Sequence, residues 1–549
     1  MKTINLKTAC VIAVVFVVVL GGGCDEPGRM GRRSGLLGGP TDLGPTIGSL
    51  ATIYSSESAV VEGYALVGGL QGTGSSECPP SLRAYLKRYI LRQLPQHRID
   101  VDQLIDSYNT AIVHVLGELP SLASKERRFD VVVTALAGTQ TTSLEGGWLY
   151  GAELRVAGRM GLGTRAVANV GGPVFTNRLG DFKMSKRVGY VLGGAEAVDE
   201  PRLSLVLHKG DYEVTSNVRN RINERFGFGA AKAVTPSRIE LTVSRRYAGQ
   251  KQRFVSLVEG TYMTENPEIT AERILAHIRE LVVSEDKYAG EMALEAIGNA
   301  SLGKLSILLD SADEQVRLHA ARCVLKLGGD EGLRPLIEIA LNRNSDLRIE
   351  ALEALTNSAD RSNAAAISRR LLDDADFDIR LAAYDQLVQL EDLSVARQLI
   401  GRSFYLDQVA RSEYKGIFVS RSGRPRIALL GAPITCRDNI FVQSQDGSII
   451  LNAPRGQKYI SVIRKGLGDK RAEGGGALSH LRSSFDLADI IRVLCAEPQA
   501  EDDQGRGGLG LGVSYSEMTA LVKQLSDNGA VRAEFRAGPM PKIGVNIKK

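Results

Sequence analysis

The chain has 549 residues, 43% of them apolar and 24% charged, the mix of a folded globular protein rather than a disordered one. Its 68 Lys+Arg against 63 Asp+Glu leave a formal charge of +5, too small an excess over this length for a dedicated nucleic-acid binder. Glycine is abundant at 59 and aromatics reach only 5%, which suits tight turns and small-residue strand packing.

Lys2 and Lys7 precede an unbroken apolar run, Ala9 to Leu20, followed by Gly21-Gly22-Gly23-Cys24. A basic start, a short apolar core and small residues before the break describe an export signal. No second apolar run of bilayer length follows. Cys24 resembles a lipoprotein attachment site, although Leu20 stands four residues before it where the usual box has Leu three before. Ordinary cleavage or an uncleaved anchor is the alternative. Residues 25–44 are rich in Gly, Pro and Arg without periodicity and read as a flexible tether. Export places the other thiols in an oxidising compartment. Of Cys78, Cys323, Cys436 and Cys495, Cys323 lies on an apolar helical face and reads as a core thiol, and Cys436 with Cys495 is the expected disulfide.

The first folded block opens with Val60–Leu70, apolar and punctuated by glycine, and Gly72-Thr73-Gly74 follows without the Gly-Lys-Ser/Thr of a nucleotide loop. Pro80–Leu94 has helical spacing, and Ala111–Val115 and Phe129–Leu136 read as strands. The segment VEGYALVGGLQGTG (61–74) resembles the opening signature of flagellar P-ring proteins. Further pieces match that family in order: Glu118-Leu119-Pro120 through Arg128, Asp130 and Val131 to Ser143–Leu149, then Gly193-Gly194-Ala195 before Leu203–Leu207, then Arg221–Gly227.

From Ala271 to about Arg402 the chain turns helical and repeats. Val316-Arg317, Leu347-Arg348 and Ile379-Arg380 recur at spacings of 31 and 32, each with an Ala three residues after the Arg. Two helices per period mean an α-solenoid, similar to HEAT-like repeats. Arg317, Arg348 and Arg380 each follow an acidic residue (Glu314, Asp346, Asp378) and are expected to form a structural ion ladder between repeats. A unit near Ala289 and Ala293 keeps the Ala positions without the Arg, as a terminal cap would. The P-ring likeness returns in Gly416–Val442, Ser484–Leu494 and Ser514–Phe535, with an acidic then Gly-rich insertion at Glu497–Gly508.

These readings give an α+β chain in which two β-rich, mixed P-ring-like parts are interrupted by an all-α HEAT-like solenoid. The parts are 1–24 signal, 25–44 tether, 45–263 N-terminal part, 264–415 helical insertion and 416–549 C-terminal part. A solenoid runs one way, so 401–415 is expected to return along one of its faces, with Phe404, Tyr405 and Leu406 packed into it. The basic tracts Ser244–Arg253 and Arg464–Arg471 read as solvated strand ends or turns, with an anionic glycan or acidic neighbour as the other reading. The six histidines are scattered, no CxxC, HExxH or GxSxG spacing exists, and neither a catalytic residue, a metal site nor a cofactor is expected.

The P-ring resemblance implies a non-catalytic structural subunit of a periplasmic flagellar basal-body ring. Its partners would be further copies of the chain, the flagellar rod, L-ring proteins and peptidoglycan, with no nucleic acid. A lipidated Cys24 would anchor it to a membrane. The alternative is an envelope lipoprotein scaffold that holds another envelope protein on its HEAT-like repeats.

Overall fold

A computed structural model describes residues 43–543 except 56–57, 94–99, 159–164, 180–184, 201–202, 411, 466–477 and 498–509. Cys24, the leader, most of Glu497–Gly508 and most of Arg464–Arg471 lie outside the described residues.

The N-terminal part begins with α1 (Ile47–Leu50), β1 (Ala51–Tyr54) and β2 (Ala59–Gly68). α2 (Pro80–Gln93) and α3 (Val101–Ile105) follow, then β3 (Thr110–Leu119), β4 (Arg128–Ala135), β5 (Trp148–Val156), β6 (Ala168–Pro173), β7 (Val188–Ala197) and β8 (Leu203–Leu207). Strands β2 to β7 close into a barrel in the order β2-β3-β4-β7-β6-β5. Alternation fills its interior with Val61, Val67, Val113, Val115, Val131, Val133 and Leu154, while Leu66 and Ile112 turn outward onto Leu86 of α2 and Ile105 of α3.

A second layer is the antiparallel sheet β1-β8-β10-β9, made with β9 (Ala231–Thr235) and β10 (Arg238–Leu241). It is covered by α4 (Tyr212–Phe226) and α5 (Lys251–Gly260), where Phe254 is wholly buried against Phe226 and Tyr247. Asp211 caps α4 by accepting from Glu213 and Val214 N–H. The part closes on itself where Met263 N–H donates to Pro45 O at 3.1 Å.

Eight helices then stack as four hairpins: α6 (Pro267–Val283) with α7 (Lys287–Ile297), α8 (Leu302–Leu308) with α9 (Glu314–Lys326), α10 (Leu333–Leu341) with α11 (Arg348–Ser358), and α12 (Arg361–Leu371) with α13 (Phe377–Gln389). The residues that set the sequence period, Ala320, Ala351 and Ala383 with Val324, Leu355 and Leu387, are all completely buried. A side chain larger than Ala there would separate the helices.

The C-terminal part begins earlier than the sequence suggests. Val395–Ile400 is strand β11, not helix, because the chain leaves α13 through Glu391 at φ 50° and reverses at Gly401-Arg402 into β12 (Phe404–Val409). With β13 (Gly416–Val419), β14 (Arg426–Leu430) and β19 (Glu534–Ala537) these make the mixed sheet β11-β12-β14-β13-β19. An antiparallel sheet of β15 (Ile440–Gln443), β16 (Ile449–Ala453), β17 (Ile460–Lys465) and β18 (Leu478–Ser483) packs with α14 (Leu487–Cys495) and α15 (Tyr515–Asp527). Ser514 and Glu517 form a capping box on α15.

Two expectations are corrected here. The segment 401–415 does not return along the solenoid: β12 pairs in parallel with β14, and Phe404 and Leu406 enter the C-terminal core. The disulfide is not formed, since Cys436 and Cys495 are free thiols. Cys436 N–H donates to Phe485 O beside the start of α14, whereas Cys495 ends that helix. Nine residues at ~1.5 Å each separate these points by about 13 Å, beyond the ~7 Å that a disulfide tolerates between Cα atoms. Burial pushes the Cys436 thiol up to about 12.

Excising 270–410 therefore removes β11 and β12 and uncovers the edge of β14. The shortened chain, rejoined by a Gly/Ser linker, is expected to be insoluble or molten by near-UV circular dichroism; a cooperative, native-like melt would contradict this packing.

Candidate functional site

The informative geometry is where the parts of the chain lock together. The first joint is built by the tract Ser244–Arg253, in which Tyr247, Lys251 and Arg253 are buried while Arg245 and Arg246 stay exposed. Arg246 donates to Lys326 O, Lys251 Nζ meets Glu200 Oε1 at 2.5 Å, and Arg253, only 7% exposed, points into the solenoid. Its guanidinium contacts Glu291 at 2.6 Å and also Glu295, two α7 carboxylates with 0% and 1% exposure. Glu291 is completed from α9 by His319 Nδ1 at 2.7 Å and Arg322 Nε at 2.8 Å. Burial pushes the Glu291 carboxyl up, but His319, Arg322 and Arg253 together outweigh it and hold the group well below the usual carboxylate range. Lys326 loses solvation at the same place and its amine falls to about 8.

The second joint fastens α13 to the C-terminal sheet. The buried Asp407 accepts from Tyr384 Oη and from Arg397 Nε at 2.8 Å and Nη2 at 2.6 Å. Arg426 of β14 meets Asp385 at 2.5 Å. Val409, Phe418, Ala428 and Leu430 complete the solenoid's own apolar core.

The third joint brings the C-terminal part back to the barrel. Asp130 of β4 accepts from Gly193 N–H at 2.6 Å and from Gly423 N–H at 2.9 Å, in the turn between β13 and β14. Burial raises its carboxyl and these two amides pull it down. Thr176 N–H donates to Ser516 Oγ at 2.9 Å, and Phe175 packs 5.6 Å from Tyr515, whose single hydroxyl hydrogen is shared between Ser420 O and Arg426 O. Asp130 and Gly193 both belong to the motifs singled out in the sequence, and the structure brings them together.

The arginines of the repeats act mainly on backbone. Arg317 donates to Ser311 O and Ala312 O and Arg380 to Asp374 O and Ala375 O, carbonyls of the loop before their own helix, and Arg348 to Ala340 O in the last turn of α10. Of the expected acidic partners, Glu314 lies 3.7 Å from Arg317, whereas Arg348 pairs with Asp374 at 2.5 Å and Asp378 faces Arg536. Lys287 extends the series one repeat earlier, donating to Leu281 O and Val282 O and lying 3.5 Å from Asp313. Its position thirty residues before Arg317 was the signal that a search for Arg alone passes over. The other described histidines have structural partners: Glu62 for His114, Thr52 for His208, Tyr262 for His277 and Ser461 for His480. Among the described residues no group of His, Cys, Asp and Glu is placed to hold a metal ion, and no helix is long and apolar enough to cross a membrane.

Comparison with known proteins places names beside two of these parts. Residues 46–287 match the family model for flagellar P-ring proteins, and residues 302–388 match that for HEAT repeats. The flagellar P-ring protein of Thermotoga maritima is 31% identical over 211 residues, 36% of this chain and 60% of that protein. Those of Nitrobacter winogradskyi (25% over 265 residues, 45% and 67%) and Aquifex aeolicus (29% over 216, 38% and 58%) are also similar. The chain thus spans about 60% of the length of these relatives. The resemblance read from the motifs and the repeat reading are both borne out over those spans.

Because the folded-state carboxyl of Glu291 lies below its unfolded value of ~4.3, its ion pairs contribute stability above that pH and lose it on acidification. Between pH 5 and 2 the wild-type thermal midpoint is expected to fall more steeply than that of Glu291→Gln. Glu291→Ala, which leaves Arg253 and Arg322 buried without it, is expected to cost about 3–5 kcal/mol by denaturant melts at pH 7.

Proposed function

We propose that this protein is a non-catalytic structural subunit of a flagellar P ring, assembled from many copies around the rod in the periplasm, next to L-ring proteins and peptidoglycan. The observation that carries the reading is the match over 46–287, whose motif residues form the barrel and its Asp130 joint. The likeness of Gly416–Phe535 to the same family extends the reading to the C-terminal part, and the expected insertion 264–415 shrinks to the helices between the matched span, which runs to 287, and β11. Cys24 is proposed to carry the lipid that anchors the chain.

The scaffold alternative draws less support. The repeats spend the polar faces of α7 and α9 on Arg253 and the face of α13 on Asp407 and Arg426, inside the chain.

The test is an in-frame deletion in the native host. Loss of swimming, basal bodies that lack the ring, and recovery of the tagged chain with basal bodies on complementation are expected. A deletion strain that swims and builds complete rings would refute the proposal. In the same strain, metabolic acyl label is expected on the wild-type chain and not on Cys24→Ala.

A further inference from the structure

A pocket of about 330 Å³ opens where α5 of the N-terminal part meets the second and third hairpins of the solenoid. One wall carries Arg253 of α5 with Arg322 and Lys326 of α9, and the other carries Glu350 and Glu353 of α11. The two glutamates stand three residues apart and so share one face of their helix. Both are exposed, and neither forms an ion pair among the described residues. Opposite charges therefore line one pocket without a salt bridge closing the gap between them.

The cationic wall has more charge than its own carboxylates neutralise. Arg253, Arg322 and Lys326, with Arg246 on the Lys326 carbonyl, stand against Glu291 and Glu295, and Glu291 is shared with His319. Lys326 Nζ spends one of its hydrogens on Asn357 O, and loss of solvation, then Arg253 and Arg246, lower its amine to about 8. Two buried polar atoms of residues that line the pocket, Arg253 Nε and Ser358 Oγ, have no hydrogen-bond partner among the described residues, and Arg253 is only 7% exposed. Unmet buried donors are rare in folded proteins, because each has given up its bond to water.

Taken with Glu350 and Glu353, the charges around the pocket balance but are separated across its width. A purely anionic ligand is repelled by α11, and a purely cationic one by α5 and α9. A molecule that is neutral overall, with an acid at one end and an ammonium at the other, meets both walls. The volume lies at the small end of ligand pockets. We propose that this pocket binds a small zwitterion, an α-amino acid or a dipeptide, with its carboxylate on Arg253, Arg322 and Lys326 and its ammonium group on Glu350 and Glu353. The site is independent of the ring reading. It is built by the N-terminal part and the solenoid together, so its occupant fastens one to the other.

The full-length chain, purified in detergent, is titrated calorimetrically with the standard protein amino acids in both hands, one at a time, and with glycylglycine and alanylalanine. At least one is expected to bind, and its methyl ester and N-acetyl derivative, which each remove one charge, to bind at least about tenfold more weakly. Binding by amino acids alone assigns the site to a free amino acid, and binding by dipeptides alone assigns it to a peptide. Glu350→Gln combined with Glu353→Gln, at exposed positions, is expected to keep the wild-type melting midpoint. In that variant the penalty of N-acetylation is expected to vanish while the penalty of the ester persists. No binding of any of these compounds up to about 10 mM overturns the proposal. So does an N-acetyl form that binds the wild type as well as its parent, or a folded double variant that still rejects it.

Discussion

A guanidinium buried without a partner is too costly to persist, and Arg253 is buried. That one constraint requires α5 of the N-terminal part to meet Glu291 and Glu295 of α7, and Glu291 in turn draws in His319 and Arg322 of α9. Three helices from two parts are fixed by one connected set of charges. The placement of α5 is itself fixed from behind by Phe254 under the β1-β8-β10-β9 sheet. The direction in which the solenoid leaves the sheet is therefore set in its first two hairpins. Each following hairpin repeats the same packing, with Ala at the crossing and a cation on the preceding carbonyls.

At the far end the stack meets a sheet rather than solvent. Asp407, fully buried, is acceptable there because Tyr384 and Arg397 both donate to it. The same sheet reaches the barrel through the turn that presents Gly423 N–H to Asp130. Barrel, α/β layer, solenoid and C-terminal part thus form a closed circuit of contacts. That circuit answers the geometric problem posed by a helical stack that runs one way: the chain does not travel back along the solenoid, because the C-terminal part spans the return with its own fold.

Much of this was legible in the residues and some was not, for identifiable reasons. The period of 31–32 residues reports a real packing surface, so Ala320, Ala351 and Ala383 are found where expected. The strands β3 and β4 follow from their β-branched runs, Ile112-Val113 with Val115 and Val131-Val132-Val133, and α14 and α15 from their capped amphipathic patterns. By contrast, Lys251 and Arg253 read as part of a solvated basic run because their acids, Glu200, Glu291 and Glu295, lie about forty to fifty residues away along the chain, and no local pattern announces a tertiary ion pair. Val395–Ile400 reads as helix because VARQLI has no strand alternation; only pairing with β12 decides its state. The compartment alone suggests a Cys436–Cys495 pairing, but the length of α14 holds the two thiols apart.

The two β-rich parts already touch directly, through Asp130 with Gly423, Thr176 with Ser516, and Arg178 with Asp446. The helical stack is thus not needed to bring them together, and its contribution is of another kind. Contacts along one seam resist rotation only over the width of that seam. A second connection, rigid and attached at both ends by buried charge, removes that rotation. In the ring proposed above, the angle between successive copies decides whether the assembly closes or spirals. An angular error inside one subunit recurs in every copy, so its effect at closure grows with the number of subunits. A helical brace buried at both ends is a direct physical means of keeping that error small.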